Sequence, residues 1–365
     1  MADLNSGPVD YTSRDYASIR DDVIAAVKAR VPEWSGSEDT SDYLRVLLEG
    51  FAFVGDITAY YVDRVANESF LPTASMRSTL LNISRTFGYS PAGPIAASVN
   101  LTLTNTGLTP VDVPAGSQFT GTYNRDGVQT VVTFETLESA TIAANEVVNM
   151  ASSEGVTSYG STSVQSNGDP IGVLLYRADG TGTSDGTSDQ QFLIPAYPII
   201  DGSVRVWVHP PTGGPSIADG VEYFFVPNII DAAAYDRVFT IFRNEDDSAS
   251  IAFGDGASGF IPASGYIVRA TYRIGLGAGG NVQSGTINTV GKRPDGTLLP
   301  SSLTVSHIDP AVGGNDSESN DVIRDKAFRI LRTHNRAVTL KDFEDLSVQS
   351  PGISRANAIG SAMSN

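Results

Sequence analysis

Three patterns of apolar and polar positions succeed one another along the chain. Up to about residue 90 the apolar residues recur at helical spacing. In "TSRDYASIRDDVIAAVKARVP", Tyr16, Ile19, Val23 and Val27 fall on one face, Thr12-x-x-Asp15 has capping-box spacing, and Pro32 stops the helix. "TSDYLRVLLEGFAFVGDITAYYVDRVANESF" predicts a second helix from a Thr40 or Ser41 cap to about Asn67, roughly 40 Å long. It carries two apolar stripes. Tyr43, Val46, Phe53, Ile57 and Tyr60 form the first, with Gly50 in the seam; Leu44, Leu47, Leu48, Phe51, Val54, Tyr61 and Val65 form the second. One neighbouring helix covers one stripe, so either the zone that follows covers the other or another chain does. A third helix, "SMRSTLLNISRTFGYSP", sets Met76, Leu80, Ile83 and Phe87 on one face, with Gly88 as its C′ residue and Pro91 just beyond.

From about 96 to 310 the period becomes two. "ASVNLTLTNT", "VVTFETL", "QQFLIPAYPII", "SVRVWVHP", "VEYFFVP", "RVFTIF" and "YIVRATYRI" read as short strands between Gly, Pro, Asp, Asn and Ser clusters. In the last of these, Tyr266, Val268, Ala270, Tyr272 and Ile274 alternate with Ile267, Arg269, Thr271 and Arg273, as in a strand with one face wet. "SSEGVTSYGSTSVQSNGDP" and "ADGTGTSDGTSDQQ" read as surface loops or a linker. Helical spacing returns after about 316. "ESNDVIRDKAFRILRTHN" puts Ile323, Ala327, Ile330 and Leu331 on one side, and "TLKDFEDLSVQSPG" opens with Thr339-x-x-Asp342. No repeat period runs through the chain. The expected fold is α+β: a helical N-terminal region (1–95), two mostly antiparallel β regions (96–200 and 201–315) and C-terminal helices (316–365).

Composition narrows the function classes. With 41% hydrophobic and 18% charged residues the chain is a folded one, and 36 Gly with 19 Pro fit a turn-rich β protein. A net charge of −17 with scattered Lys and Arg argues against a nucleic-acid partner. The absence of Cys excludes disulfides, thiolate metal sites and a cysteine nucleophile. "MADLNSGPVDYTSRD" lacks the basic and apolar regions of a signal peptide, and the most apolar segment contains Glu49 and Asp56, so no membrane span is expected.

The densest glycine run, "FGDGASGFIPASGYIVRATYRIGLGAGGN", contains Gly275-x-Gly277-x-x-Gly280, the spacing that cradles a dinucleotide pyrophosphate. That chemistry needs a helix after the glycines, and "NVQSGTINTVG" offers β-type residues instead. The glycines are expected to serve the backbone, and no cofactor is expected. Asp179, Asp185 and Asp189 could present oxygens to Ca²⁺ but lack the EF-hand arrangement, and "NEDD" at 244–247 reads as a solvated turn. His209, His307 and His334 lie far apart, without HxxxH or HExxH spacing. There is no G-x-S-x-G or S-x-x-K motif, and 41 acidic residues make a chance carboxylate pair uninformative. Nothing in these residues argues for an enzyme.

Several stretches, in order, resemble the baseplate J-like family, the inner wedge subunits of contractile phage tails and related injection machines. They are "DYTSRDYASIRDDVIAAV"; then "DYLRVLLEGFAFVGDITAYYVDRVANESFLPTASMRSTLLNISRTFGYSP", with Arg64 and Glu68 one turn apart; "VDVPAGSQF"; and "FETLESATIAAN". "IAFGDGASGFIPASGYIVRATYRIGLGAGGNV" is similar to the family's F-G-D-G…G…P…G…Y…G-x-G…G-N signature, and "GGNDSES" and "LRTHNRAVTLKDFEDLSVQSPGISRANA" to its last block. On this resemblance Gly254, Asp255, Gly256 and Gly259 shape a loop beyond a strand holding Ile251 and Phe253. Pro262 and Gly265 bring the chain back, and Gly275, Gly277 and Gly280 bend the following strand, with Asn281 in the same turn-and-bulge set.

The resemblance implies a structural virion protein in the tail baseplate. It pairs with itself, joins other wedge proteins through helical bundles, and forms a six-fold ring near the hub and the sheath-initiating proteins. The stripe of Tyr43, Val46, Phe53, Ile57 and Tyr60 is the expected interface. Family members usually continue past "ISRANA" into a further domain, so the chain is expected to be a short version or to lack that remainder. The alternative is a receptor- or glycan-binding tail protein with binding residues in the loops at 151–190, and a wall-degrading enzyme is the third reading.

Overall fold

The computed structural model describes residues 14–34, 42–86, 88–159, 171–214, 216–244, 248–333, 336–349, 353 and 355–360. The chain is α+β, with helices at both ends and antiparallel sheets between them. It divides into two compact units. One joins Met1–Phe87 to Asn320–Asn365, and the other is Gly88–Ser319.

In the helical unit, α1 (Tyr16–Arg30) starts one residue after Asp15, not at Thr12, which lies outside the described residues. Asp15 accepts from the Ser18 amide at 2.8 Å while Ser18 Oγ accepts from the Asp15 amide at 3.0 Å, a reciprocal cap that satisfies two of the helix's orphan donors. Pro32 follows the last turn, as expected. The long helix α2 (Tyr43–Glu68) is capped by Asp42, not Thr40 or Ser41. Asp42 accepts from the Leu44 amide and, through its other oxygen, from Trp34 Nε1 at 2.8 Å, so one carboxylate fixes both the helix start and the incoming turn.

Glu68 ends α2 by accepting from the amides of Ser75 and Met76, which open α3 (Arg77–Thr86). The buried face of α3 is Arg77, Leu80, Leu81 and Ser84, one position round from the face expected. Arg77 is buried because its guanidinium reaches Asn320 Oδ1 at the start of α4 (Asn320–Thr333), while Arg324 donates to Ala74 O at 2.9 Å. On α4, Ile323 and Ala327 are buried as expected, but Leu331 is exposed. The following α5 (Leu340–Gln349) has the predicted box: Asp342 N donates to Thr339 Oγ1 and Thr339 N to Asp342 Oδ2. Buried Asp345 on α5 faces Arg329, Arg332 and Lys341, which ties the two helices together.

The β unit opens with β1 (Ser98–Asn105), β2 (Val111–Val113), β3 (Gln118–Arg125), β4 (Val128–Thr136), β5 (Ala140–Ile142) and β6 (Val147–Glu154). There follow β7 (Val156–Ser158), β8 (Val173–Leu174), β9 (Gln191–Ile194), β10 (Arg205–His209), β11 (Val221–Phe225), β12 (Val238–Arg243), β13 (Ala249–Phe253) and β14 (Ile267–Ile274). The last two are β15 (Ile287–Val290) and β16 (Leu303–Ser306). A six-stranded sheet has the order β15-β3-β4-β6-β1-β16, so its two outer strands come from the far side of an eight-stranded sheet in sequence. β2 and β5 form a separate ribbon.

His307, just after β16, closes the six-stranded sheet on itself. Its Nε2 accepts from the Ile287 amide of β15 at 3.0 Å, and its Nδ1 lies 2.8 Å from Asp309 O, which makes Nδ1 the protonated nitrogen. Inside the curled sheet pack Leu101, Leu103, Phe119, Val132, Phe134 and Ile287. The eight-stranded sheet runs β7-β14-β10-β11-β12-β13-β9, with β8 also on β14. A single bridge from Leu193 of β9 to Tyr176, just past β8, brings its two sides together around Phe192, Phe239, Phe253 and Tyr272. All described strand pairs are antiparallel except β11 with β12. The second face of β14 is not open to water along its length: Thr271 is buried, and Arg269 and Arg273 are drawn onto neighbouring backbone.

His307→Ala leaves the buried Ile287 N–H without an acceptor, so it is expected to lower unfolding free energy by about 1–3 kcal/mol in urea denaturation. A substitution at exposed Leu298 should leave it unchanged within about 0.5 kcal/mol.

Candidate functional site

α2 is amphipathic in an unusual sense, because its covered side is the small one. α1 packs where Leu48 and Ala52 are buried and where a side chain at Gly55 would meet Ile19 at 3.2 Å. Among the described residues the first predicted stripe is uncovered, and the second is covered only at its Leu44–Leu48 edge, where Leu48 is buried and Leu44 half-buried. Tyr43 is 77% exposed and Phe51 68%, and Val46, Leu47, Phe53, Val54, Ile57, Tyr60, Tyr61 and Val65 are exposed with them. At 3.6 residues per turn these positions occupy about half the circumference. One packed helix covers a stripe of roughly 100°. The face therefore has room for more than one helix along the ~39 Å that 26 residues span. Gly50 sits within it, exposed, with nothing within 4 Å of where a Cβ would stand. Arg45 pairs with Glu49 at 2.9 Å beside the face, while Arg64, which stands within it, donates to the Tyr60 hydroxyl.

The glycine-rich signature falls into two clusters at opposite ends of β14. The first, Gly254 to Gly265, links β13 to β14. A Cβ on Gly254 would lie 2.2 Å from Ser258 O and 2.3 Å from Gly259 O, so only glycine lets the loop fold back on its own backbone. Asp255 Oδ1 accepts from the amides of Ala257 and Ser258, and these bonds hold its carboxyl below the ordinary aspartate range. Gly256, Gly259 and Gly265 have positive φ, and Pro262 O accepts from buried Ser184 Oγ. The loop supports the crossover between the parallel strands β11 and β12, a connection that needs about a dozen residues. Gly259 N donates to Ala233 O, Phe260 N to Asp236 O, and Ser258 Oγ to Ile230 O.

The second cluster follows β14, where Gly277–Gly280 make a single 3₁₀ turn. It packs on Glu154 at the end of β6. A Cβ on Gly275 would meet Glu154 Oε2, and one on Gly280 would meet Glu154 Cγ, each at 2.6 Å. Asn281 Nδ2 donates to Gly314 O and its Oδ1 accepts from Gly314 N, which pins the turn to the segment before Asp316. Burial pushes the Glu154 carboxyl up, against the lowering effect of the Leu276 amide and Arg273. Arg273 donates to Ser153 Oγ, Ser153 O and Glu154 O and lies 3.7 Å from Glu135, so it joins β14 of one sheet to β6 and β4 of the other. Glu135 and Arg273 stood inside quoted stretches without a role assigned to them, and Glu154 fell in a stretch expected to be a surface loop, whereas it is the buried end of β6. The one available signal was arginine on the second face of β14.

The residues weighed for metal or acid–base chemistry are not assembled for it. Arg177 pairs with Asp179 at 3.2 Å and Asp185 at 2.7 Å, and each aspartate also caps a threonine two residues on; Asp189 stands apart with φ 56°. Among the described residues no group of three or more His, Asp or Glu could hold a metal ion. His209 is buried at the end of β10 against Gly220, His307 is the sheet's seam, and His334 lies outside the described residues, as does most of "NEDD". No helix among the described residues is long and apolar enough to cross a membrane.

Residues 15–86, which span α1 to α3, match the family model described as bacteriophage baseplate protein, N-terminal domain. No curated protein matches significantly. Among solved structures, a chain of the anti-feeding prophage baseplate, determined by cryo-EM with six-fold symmetrisation, aligns at 13% identity with a TM-score of 0.35. The alignment covers 93% of the present chain, which spans 60% of that chain's length.

Gly254→Ala is expected to cost about 1–3 kcal/mol in equilibrium denaturation, because the obstructing atoms are backbone carbonyls. Burial, with Arg269 nearby, pushes the His209 imidazole below the ordinary histidine range. The unfolded chain then takes up the proton more readily. Stability is full above about pH 6.5 and falls as pH drops through that value. Chemical denaturation from pH 7.5 to 5.5 should show this slope, and His209→Gln should flatten it.

Proposed function

We propose that this chain is a structural wedge subunit of a phage tail baseplate or tail-like injection machine, and that it works by binding rather than catalysis. The observation that carries the reading is the exposed apolar face of α2, which lies within the segment that matches a baseplate N-terminal domain. Burying a large apolar side chain contributes about 1.5–3 kcal/mol, and this face keeps ten of them out of its own unit's core. Gly50 supports the same reading. Glycine inside an exposed helix costs about 0.8–1.0 kcal/mol relative to alanine, a cost that close approach of another backbone would offset. The occupants are helices of a second copy and of another wedge protein. Each such bundle is one node of a six-fold ring around the hub, beside the proteins that start the sheath, assembled in the host cytoplasm and carried in the virion.

Phe53→Asp and Ile57→Asp test this directly. Both positions are exposed in the isolated chain, so its stability should change by no more than about 0.5 kcal/mol. Incorporation into particles should fail, because an unpaired carboxylate buried in a helical seam costs several kcal/mol. Normal incorporation of both variants would overturn the reading. Quantitative mass spectrometry of purified particles should count this chain at a multiple of six copies. Three copies would move it to a hub or tip and favour the glycan-binding alternative.

A further inference from the structure

The glycine-rich signature holds out a second apolar surface, in the β unit, that the wedge reading leaves unused. The connection between β11 and β12 crosses the outer face of their sheet, where Gly259 packs against Val238 and Ile229. Along it and the supporting loop, Tyr235 is 87% exposed, Ile230 74%, Phe224 63% and Phe260 38%. Phe224 lies on the outer face, since it alternates with buried Tyr223 and stands in register with Val238.

This ledge is held by hydrogen bonds along its backbone. The Asn228 side chain accepts from the Ile230 amide, Asp236 from Ala233, and the signature loop binds the crossover at Ile230, Ala233 and Asp236. A protein that fixes its backbone this firmly while leaving four large apolar side chains in water has prepared them for contact. At about 200 Å² for each side chain, the exposed fractions amount to roughly 500 Å² of apolar surface. That is more than half of the ~800 Å² each partner contributes to a standard interface, and well short of an obligate homodimer.

Charge selects the occupant. Asp231, Asp236 and Asp255 stand exposed around the apolar residues, with Arg237 as their one exposed basic neighbour on these two loops. Two such ledges face to face would bring like charges together on a chain whose net charge is −17. We infer that the ledge docks a different protein, through a surface with an apolar centre and a lysine- or arginine-rich rim. The inference rests on the chain being a baseplate component.

The test uses assembled particles in which this chain carries the photo-crosslinker p-benzoylphenylalanine in place of Tyr235 or, separately, of Tyr60 on α2. The expected result is that position 235 crosslinks to a peptide of another protein in which lysine or arginine flanks apolar residues. Incorporation with a crosslink from position 60 but none from 235 would overturn the ledge alone. So would a crosslink from 235 to a second copy of this chain or to an acidic segment. Absence of the chain from particles, with wild-type α2, would remove the baseplate reading and the ledge with it.

Discussion

Arg273 is the contact on which the β unit turns. It leaves β14 of the eight-stranded sheet and gives its hydrogen bonds to Ser153 and Glu154 on β6 of the six-stranded one. Glu154, so placed, offers its carboxyl to the Leu276 amide and its flank to Gly275 and Gly280. The spacing that resembles a phosphate cradle is thereby explained by a carboxyl group inside the protein. The glycines make room for a side chain of the same molecule, and a negatively charged one at that when ionised.

The helical unit is governed by a different asymmetry. In most surface helices the large apolar residues go in and the polar ones out. In α2 the small residues Ala52 and Gly55 accept α1, and the aromatic residues stay outside. Small residues let two helices approach closely without using up the helix's apolar area. α1 thus packs on α2 while leaving its wide apolar face available.

Much of this was legible in the chain. Helix order, the Thr339–Asp342 cap, Pro32 as a stop and the run of short strands all depend on residues close in sequence, where periodicity and capping chemistry act. Some misplacements have local causes and others distant ones. The caps are Asp15 and Asp42, one to three residues beyond the expected Thr12, Thr40 and Ser41, because their carboxylates accept from the Ser18 and Leu44 amides. The buried face of α3 turned by one residue because Arg77 found Asn320, more than two hundred positions away. The pairing of β16 with β1 and the seam made by His307 are of the same long-range kind, and a two-residue period says nothing about which strands meet. For the proposed interface, the sequence showed two stripes on α2 but could not say which side α1 would take. The ledge was hidden for another reason: Tyr235 and Ile230 lie in a connection without any period, and only the fold sets them beside Phe260.

The strand order has a consequence for how the molecule comes into being. Four strands of the six-stranded sheet are made by residue 154, yet their outer neighbours, β15 and β16, leave the ribosome only after the whole eight-stranded sheet. Until then β1 and β3 each present an open edge, the feature that invites pairing with other chains. Contacts this distant in sequence also form slowly. The eight-stranded sheet can mature as a unit while the six-stranded one waits, half built, for its last two strands. Between the making of β6 and of β16 the unfinished sheet therefore stands with both edges open, and chaperone demand should concentrate in that interval.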